Sequence, residues 1–266
     1  MKELITKYRR PLILIAIILV FTLIFTTAAI TSPQKSSEEI ILDISTCSKP
    51  EGKVVAHGID ISVYQGDVDF KKVKESGVDF VIIRAGATGF GDDDNFEQNY
   101  KGAVDAGLDV GCYYYTYSTN AEEIGADAEN LLEIIKGKEF DYPVFLDFEE
   151  ELLNSADRIE TNTEMIDVFC RKIKLAGYYP GVYTSSSVYE NYLETVSLGS
   201  TWDFWVASYN DHTYDSDEYS AGFSMWQYSD LGKVDGIDSD VDMDVSFVDY
   251  PQIIREFKSK LLKYSI

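Results

Sequence analysis

Three hydrophobic patterns succeed one another along the chain. The first is a continuous run. Leu12 to Ile30 holds nineteen residues without a charge. Before it, Met1 to Arg10 carries Lys2, Lys7, Arg9 and Arg10 against Glu3. At ~1.5 Å per residue, a helix of that length spans roughly the hydrocarbon core of a bilayer. The run therefore predicts a transmembrane helix within residues 1–31, its basic flank on the cytoplasmic side. A cleaved secretory signal is the competing reading. Its apolar stretch is usually ~7–15 residues, and Thr27-Ala28-Ala29 is a weak cleavage site. Either reading exports the rest of the chain: a membrane-anchored extracellular domain, or a secreted one after cleavage.

The second pattern is polar. Residues 32–56 read as a linker, with SPQKSSEE and SKPEGK as its polar and turn-forming parts. Between them, IILDI reads as a short strand or a packing arm.

The third pattern fills residues 57–266. Eight apolar, β-rich runs appear: HGIDIS, DFVIIRAG, DVGCYYYTYS, YPVFLDFE, YPGVYTS, TWDFWVASY, FSMWQYS and VDMDVSFV. Helical periodicity separates the first five. It covers Val68–Glu75, Asn95–Ala106, Ala121–Ile135 and Asp157–Ala176, and several of these stop at a glycine. Ser185–Leu193 reads as a shorter helix and Ile253–Leu262 as a closing amphipathic one. Repeated strand–helix units call for parallel strands with right-handed crossovers. Eight strands fit a small closed α/β barrel, irregular at its helix-poor end. An open doubly wound sheet is the alternative, but no GxGxxG comes after a strand.

Charge excludes one class of partner. The 266 residues carry 23 Lys+Arg against 46 Asp+Glu, a formal charge of -23. Nucleic-acid binding needs a basic footprint, so none is expected. Three cysteines are no disulfide scaffold, and Cys112 and Cys170 sit in apolar contexts that read as core. Two histidines and no HExxH leave no zinc site to build, and no GxSxG elbow or phosphate loop is present. No cofactor and no metal is expected.

The chemistry concentrates in Tyr142–Glu151, YPVFLDFEEE, where an apolar strand runs into acids. Positions i and i+2 of a strand share a face, so Asp147 and Glu149 point together and Phe148 points away. At the C-terminal mouth of a barrel that pair enters the active-site bowl. Adjacent carboxylates raise one another's pKa, and a carboxyl that keeps its proton can protonate a leaving oxygen, as glycoside cleavage requires. A solvated acidic loop is the plain alternative. Asp60 ends the first strand with Ser62 on its face. Asp238, Asp240, Asp242 and Asp244 alternate near the last strand. An EF-hand would want Gly and Glu where Val245 and Pro251 stand, so a calcium loop is a poor fit. Aromatics also gather at strand ends, where sugar rings could stack. The candidate sugar-binding side chains are Tyr64, Gln65, Tyr113, Tyr115, Tyr183, Trp226 and Gln227. Four segments after strands (Gly91–Glu97, Asp147–Glu151, Tyr209–Tyr219 and Ser229–Asp244) hold eighteen acids and one base, Lys233. The acidity should therefore surround the bowl and hold a proton on Glu149.

Taken in order, GIDISVYQG, FVIIRAGATG, GCYYYTYS, PVFLDFE, GVYTS, WVASY, MWQYS and VDMDV resemble glycoside hydrolase family 25, the Chalaropsis-type lysozymes. The resemblance covers residues 57–266. It implies a (β/α)5β3 barrel and a muramidase: hydrolysis of the β-1,4 bond from N-acetylmuramic acid to N-acetylglucosamine, with peptidoglycan glycan strands as partner. It further implies Glu149 as general acid/base, Asp147 as its carboxylate partner, and Asp60 and Asp242 as further catalytic carboxylates of the bowl. Many members carry Tyr-His where this chain has Tyr113-Tyr114. Attack by the substrate's acetamido oxygen and attack by a carboxylate or water both stay open on the motif alone. Two rival readings remain at this point: a non-catalytic glycan-binding module on the same barrel, and a glycosidase for another polysaccharide.

Overall fold

A computed structural model of the chain describes residues 35–50, 52–149, 153–209 and 222–263. The chain divides into two compact units, Met1–Glu39 and Ile40–Ile266. Among the described residues no helix is long and apolar enough to cross a membrane, and the run Leu12–Ile30 lies outside them.

The second unit is built on a closed ring of eight strands: β1 (Ala56–Ile61), β2 (Phe80–Ala87), β4 (Asp109–Tyr115), β5 (Val144–Asp147), β6 (Pro180–Ser185), β7 (Asp203–Ala207), β8 (Met225–Gly232) and β9 (Val241–Ser246). A two-residue strand, β3 (Gly91–Asp92), folds back on β2 as a hairpin. Neighbours from β1 to β8 pair in parallel, and β9 runs antiparallel to both β8 and β1. The β1–β2 pairing closes the ring and rules out the open sheet. Helices come after the first five ring strands: α2 (Phe70–Glu75), α3 (Phe96–Ala106), α4 (Ala121–Ile134), α5 (Ile159–Leu175), and the short pair α6 (Ser186–Asn191) and α7 (Thr195–Leu198). Among the described residues no helix separates the last three strands of this α/β barrel.

Strand alternation sorts side chains into two cores. Ile59, Ile61, Val81, Ile83, Val110, Cys112 and Leu146 face outward and pack with the helices. Phe80, Ile82, Phe145, Trp205 and Met225 belong to a second, inner cluster. Close packing there forbids side chains at some strand positions. A Cβ on Gly181 would meet the Phe145 ring at 2.5 Å. The closing helix α8 (Tyr250–Leu262) starts at Asp249, whose side chain accepts from the Gln252 amide at 2.9 Å. It buries Tyr250, Ile254 and Phe257 against Tyr142 and Tyr179, which precede β5 and β6. Helix α8 therefore stops the end of the barrel where strands begin, leaving the other end as the mouth.

The segment read as a linker is different over residues 40–50. IILDI is not a strand: its first four residues end helix α1 (Ser37–Asp43). Its signal was SSEE: Ser36 Oγ accepts from the Glu39 amide at 3.2 Å, and Glu39 Oε2 accepts from the Ser36 amide at 2.7 Å, a capping box. Beyond it the chain lies on the barrel. Ile44 and Thr46 are buried, and the buried Lys174 ammonium of α5 donates to the carbonyls of Leu42, at 2.9 Å, and Ile44, at 2.5 Å. Ser48 is held by Asp203 through its amide at 2.6 Å. These contacts make this stretch a packing arm. Cys112 and Cys170 are buried free thiols in the outer core, while Cys47 is half-buried.

Candidate active site

The mouth of the barrel holds a cavity of about 310 Å³. Strand alternation delivers its walls. Residues that flank outward-facing core positions point in: Asp60 between Ile59 and Ile61, Arg84 after Ile83, and Tyr113 and Tyr115 on either side of the buried Tyr114. At the end of β5 the buried Phe148 faces the outer core while Asp147 and Glu149 line the cavity. Asp242 enters from β9, and Tyr183, Trp205 and Gln227 from β6, β7 and β8. Tyr64 and Gln65 come from a 3-10 turn after β1. Ten of the eleven candidate residues thus converge on one space.

The eleventh does not. Trp226 is buried in a separate cluster with Val245 and Phe247, and its indole Nε1 donates to the Ser208 carbonyl at 2.8 Å. Neighbours on a strand face opposite ways, so Gln227 can reach the cavity only if Trp226 does not.

Hydrogen bonds also redefine three sugar-binding candidates. Gln227 is 2% exposed and its amide is bonded within the protein. Its Nε2 donates to Asp60 Oδ2 at 2.7 Å, and its Oε1 accepts from the hydroxyls of Tyr183 at 2.9 Å and Tyr209 at 2.6 Å. Gln227 and Tyr183 therefore orient Asp60 and brace the wall. Gln65 closes a capping box, accepting from the Ser62 amide at 2.8 Å, and that turn holds Tyr64 out at 77% exposure.

The carboxyls form one coupled group. Asp60 and Asp242 stand directly opposite each other on the antiparallel β1–β9 pair, and Asp244 stands opposite Gln227. Burial pushes Asp60 well above the usual carboxylate range, and the charges of Asp242 and Asp244 push it further, while the Gln227 bond opposes them. Burial, then Asp230, raises Asp242 to about 6. Burial and Asp242 raise Asp244, whose Oδ1 accepts from Trp205 Nε1 at 2.8 Å. Asp60, Asp242 and Asp244 thus crowd three carboxyls against one another at the β1–β9–β8 junction. Burial first, then the nearby carboxylates, keeps the Tyr113 and Tyr183 phenols neutral.

Sequence reasoning missed two members of this group. Arg84 is the cation in a wall that holds Asp60, Asp147, Glu149 and Asp242. It pairs with the buried Asp93 through Nε and Nη2, both at 2.7 Å, and lies 4.9 Å beneath the Tyr64 ring. Its signal was a lone charge inside the apolar run FVIIRAG. Asp244 was visible in the DxD alternation, but only the fold shows it to be fully buried. Among the described residues no group of three or more His, Cys, Asp or Glu is arranged to hold a metal ion. Glu150, Glu151, Asp211, Asp215, Asp217 and Glu218, six of the acids expected near the bowl, lie outside the described residues.

A carboxylate pair at the end of β5, a crowded carboxyl trio on β1 and β9 and aromatic walls form a site built for acid chemistry on a polar ring. The sequence profile of Glycosyl hydrolases family 25 matches residues 59–237. The chain belongs to this family. Its relatives include the autolytic lysozyme of Clostridium acetobutylicum, 35% identical over 188 residues, which cover 70% of this chain and 54% of that protein. The modular autolysin LytC of Streptococcus pneumoniae superposes with a TM-score of 0.62 at 28% identity, over 71% of this chain and 46% of LytC. The catalytic domain of endolysin ply40 from bacteriophage P40 of Listeria monocytogenes gives 0.63 at 27% identity, over 76% of this chain and 97% of that domain. This family 25 chain thus spans about half the length of the autolytic lysozyme and of LytC.

Proposed function

We propose that this protein is a muramidase, hydrolysing the β-1,4 bond between N-acetylmuramic acid and N-acetylglucosamine in peptidoglycan. The observation that carries the reading is the shared face of Asp147 and Glu149 at the end of β5, inside a cavity walled by carboxyls and aromatic rings. Family membership supports it, as do relatives described as lysozyme, autolysin and endolysin. LytC has also been seen with a synthetic peptidoglycan ligand.

In this mechanism Glu149 protonates the glycosidic oxygen and the bond breaks toward an oxocarbenium-like centre; a water then completes the hydrolysis at that carbon and gives its proton back to Glu149. Asp147 stabilises the charge that develops at the anomeric carbon. The Gln227 bond fixes Asp60, which faces Asp242 across β1 and β9, and both present carboxyls to the sugar. Tyr64, Tyr113 and Tyr115 offer ring faces and hydroxyls to the glycan. The charge-free run Leu12–Ile30 behind a basic flank supports an uncleaved membrane anchor holding the enzyme on the outer face of the membrane, facing the wall.

The test is Glu149→Gln on purified peptidoglycan. Release of new reducing ends should fall by ~10³-fold or more, the scale of removing an essential general acid. The circular dichroism of the variant should match wild type. Mass spectrometry of wild-type products should show muramic acid at the reducing end. Undiminished release by the variant, or fragments ending in glucosamine, would overturn the proposal.

A further inference from the structure

A second cavity, of about 460 Å³, adjoins the catalytic one and shares Tyr64, Arg84 and Tyr115 with it as common wall. Its far side is the tip of the β2–β3 hairpin. Phe90 sits there with 78% of its surface exposed, an unusual place for a phenylalanine. Its ring lies 5.8 Å from that of Tyr117, which lies 4.8 Å from Tyr115. The three rings make a row leading from the outer cavity to the catalytic one.

The row is held firmly from below. One oxygen of the buried Asp127 in α4 accepts three hydroxyls: Thr88 at 2.7 Å, Thr116 at 2.8 Å and Ser118 at 2.7 Å. Thr88 Oγ1 also accepts from the Tyr117 amide at 3.0 Å. This knot ties the hairpin turn to the segment after β4, so both ends of the ring row share one anchor. The hairpin also needs glycine at position 86, where a Cβ would collide with the Gly91 carbonyl. A turn tied down in this way leaves less backbone to order when a ligand meets the ring it carries.

We propose that this outer cavity is a distal saccharide subsite, in which Phe90 stacks on an N-acetylhexosamine ring further along the strand than the sugar held at Glu149. The proposal rests on the muramidase reading and deepens it. A glycan is a polymer, so a strand bound at the catalytic cavity must continue outward, and the contiguous cavity lies on such a path. The sugar's C–H face suits the phenyl ring, and its hydroxyls suit the acceptors Asp92 and Asp94 on the rim. Those same carboxylates disfavour the carboxylate-bearing peptide stems of the wall, so the occupant is the sugar.

The test compares wild type with Phe90→Ala on three substrates: long peptide-free glycan strands, the shortest cleavable fragments, and long strands that keep their peptides. Phe90 is exposed and outside both cores, so the fold should survive. The variant should lose roughly fivefold to tenfold in kcat/KM on both kinds of long strand, through KM, the scale of one lost ring contact. The shortest fragments should be cut at the wild-type rate. Unchanged KM on long strands, equal loss on long and short, or loss confined to peptide-bearing strands would each overturn the subsite. Calorimetry of long and short strands on Glu149→Gln, with and without Phe90→Ala, separates the two readings. Length-dependent binding that needs Phe90, in a protein whose wild type cuts nothing, sinks the muramidase reading and keeps the subsite.

Discussion

Replacing Asp242 with asparagine should stabilise the fold while harming the site. Asp242 faces Asp60 directly across β1 and β9, and like charges opposed in this way destabilise a sheet. Burial and Asp230 raise it from 3.8 to about 6. Between roughly pH 4 and pH 6 the folded protein therefore keeps a proton that the unfolded chain has lost. That contribution is present at acid pH and disappears as pH rises through about 6, leaving a charged, crowded carboxylate at neutrality. A rise of about two units at ~1.36 kcal/mol each gives an upper figure of about 3 kcal/mol. Water at the mouth of the cavity screens part of it, so Asp242→Asn should gain about 1–3 kcal/mol at pH 7. Urea unfolding of both proteins at pH 4 and pH 7 measures the effect. The curves should nearly coincide at pH 4 and separate at pH 7, while release of reducing ends from peptidoglycan falls. A variant less stable at pH 7, or a gain of the same size at both pH values, would refute the electrostatic reading of this trio.

Gln227→Leu should do the opposite. It strips one donor from Asp60 and the shared acceptor from two tyrosine hydroxyls in a buried setting, so it should cost about 2–4 kcal/mol in urea unfolding and lower activity. A stability within about 0.5 kcal/mol of wild type would mean that the network braces nothing. The acidic mouth should also repel anionic wall polymers, so the initial rate on such wall should rise as salt goes from low to moderate ionic strength. A flat salt profile, measured alongside a neutral glycan control, would count against that field.

What could be read ahead of the fold was whatever depends on local period. Two-residue alternation put Asp147 and Glu149 together and sent Phe148 away, and three-four spacing found the helices of the first five units. The same rule, applied to Trp226 and Gln227, separates them, and pairing them as sugar ligands went against it. What could not be read was register. Nothing in the sequence says that Asp60 lies across from Asp242, or that Gln227 bonds Asp60, because those pairings join residues more than 160 positions apart. Nor could residue type show that Gln65 and Gln227 have their amides occupied. A glutamine reads as a free sugar ligand until its partners are known. Helix α1 was missed for a simpler reason: its apolar residues suggested a strand, while its capping box was the stronger local signal.

At the helix-poor end of the barrel one strand runs the other way, and this serves the site. In a strand–helix unit only the last residues of each strand reach the mouth, as Asp60, Asp147 and Glu149 do. Strand β9 is antiparallel, so its first residues lie at the mouth, and DMD therefore supplies Asp242 and Asp244 opposite β1. A strand arriving in that direction must come from β8 by a turn at the mouth, residues 233–240, and leaves no crossover for a helix to fill. It also ends at the opposite side of the barrel, where Ser246 pairs with Ala56. The chain is then placed to run directly into α8, which plugs that end with Tyr250 and Phe257. One reversal of strand direction thus brings two carboxyls to the first strand's aspartate and closes the floor beneath them. Reversing β9 to parallel would leave Asp60 with neither partner.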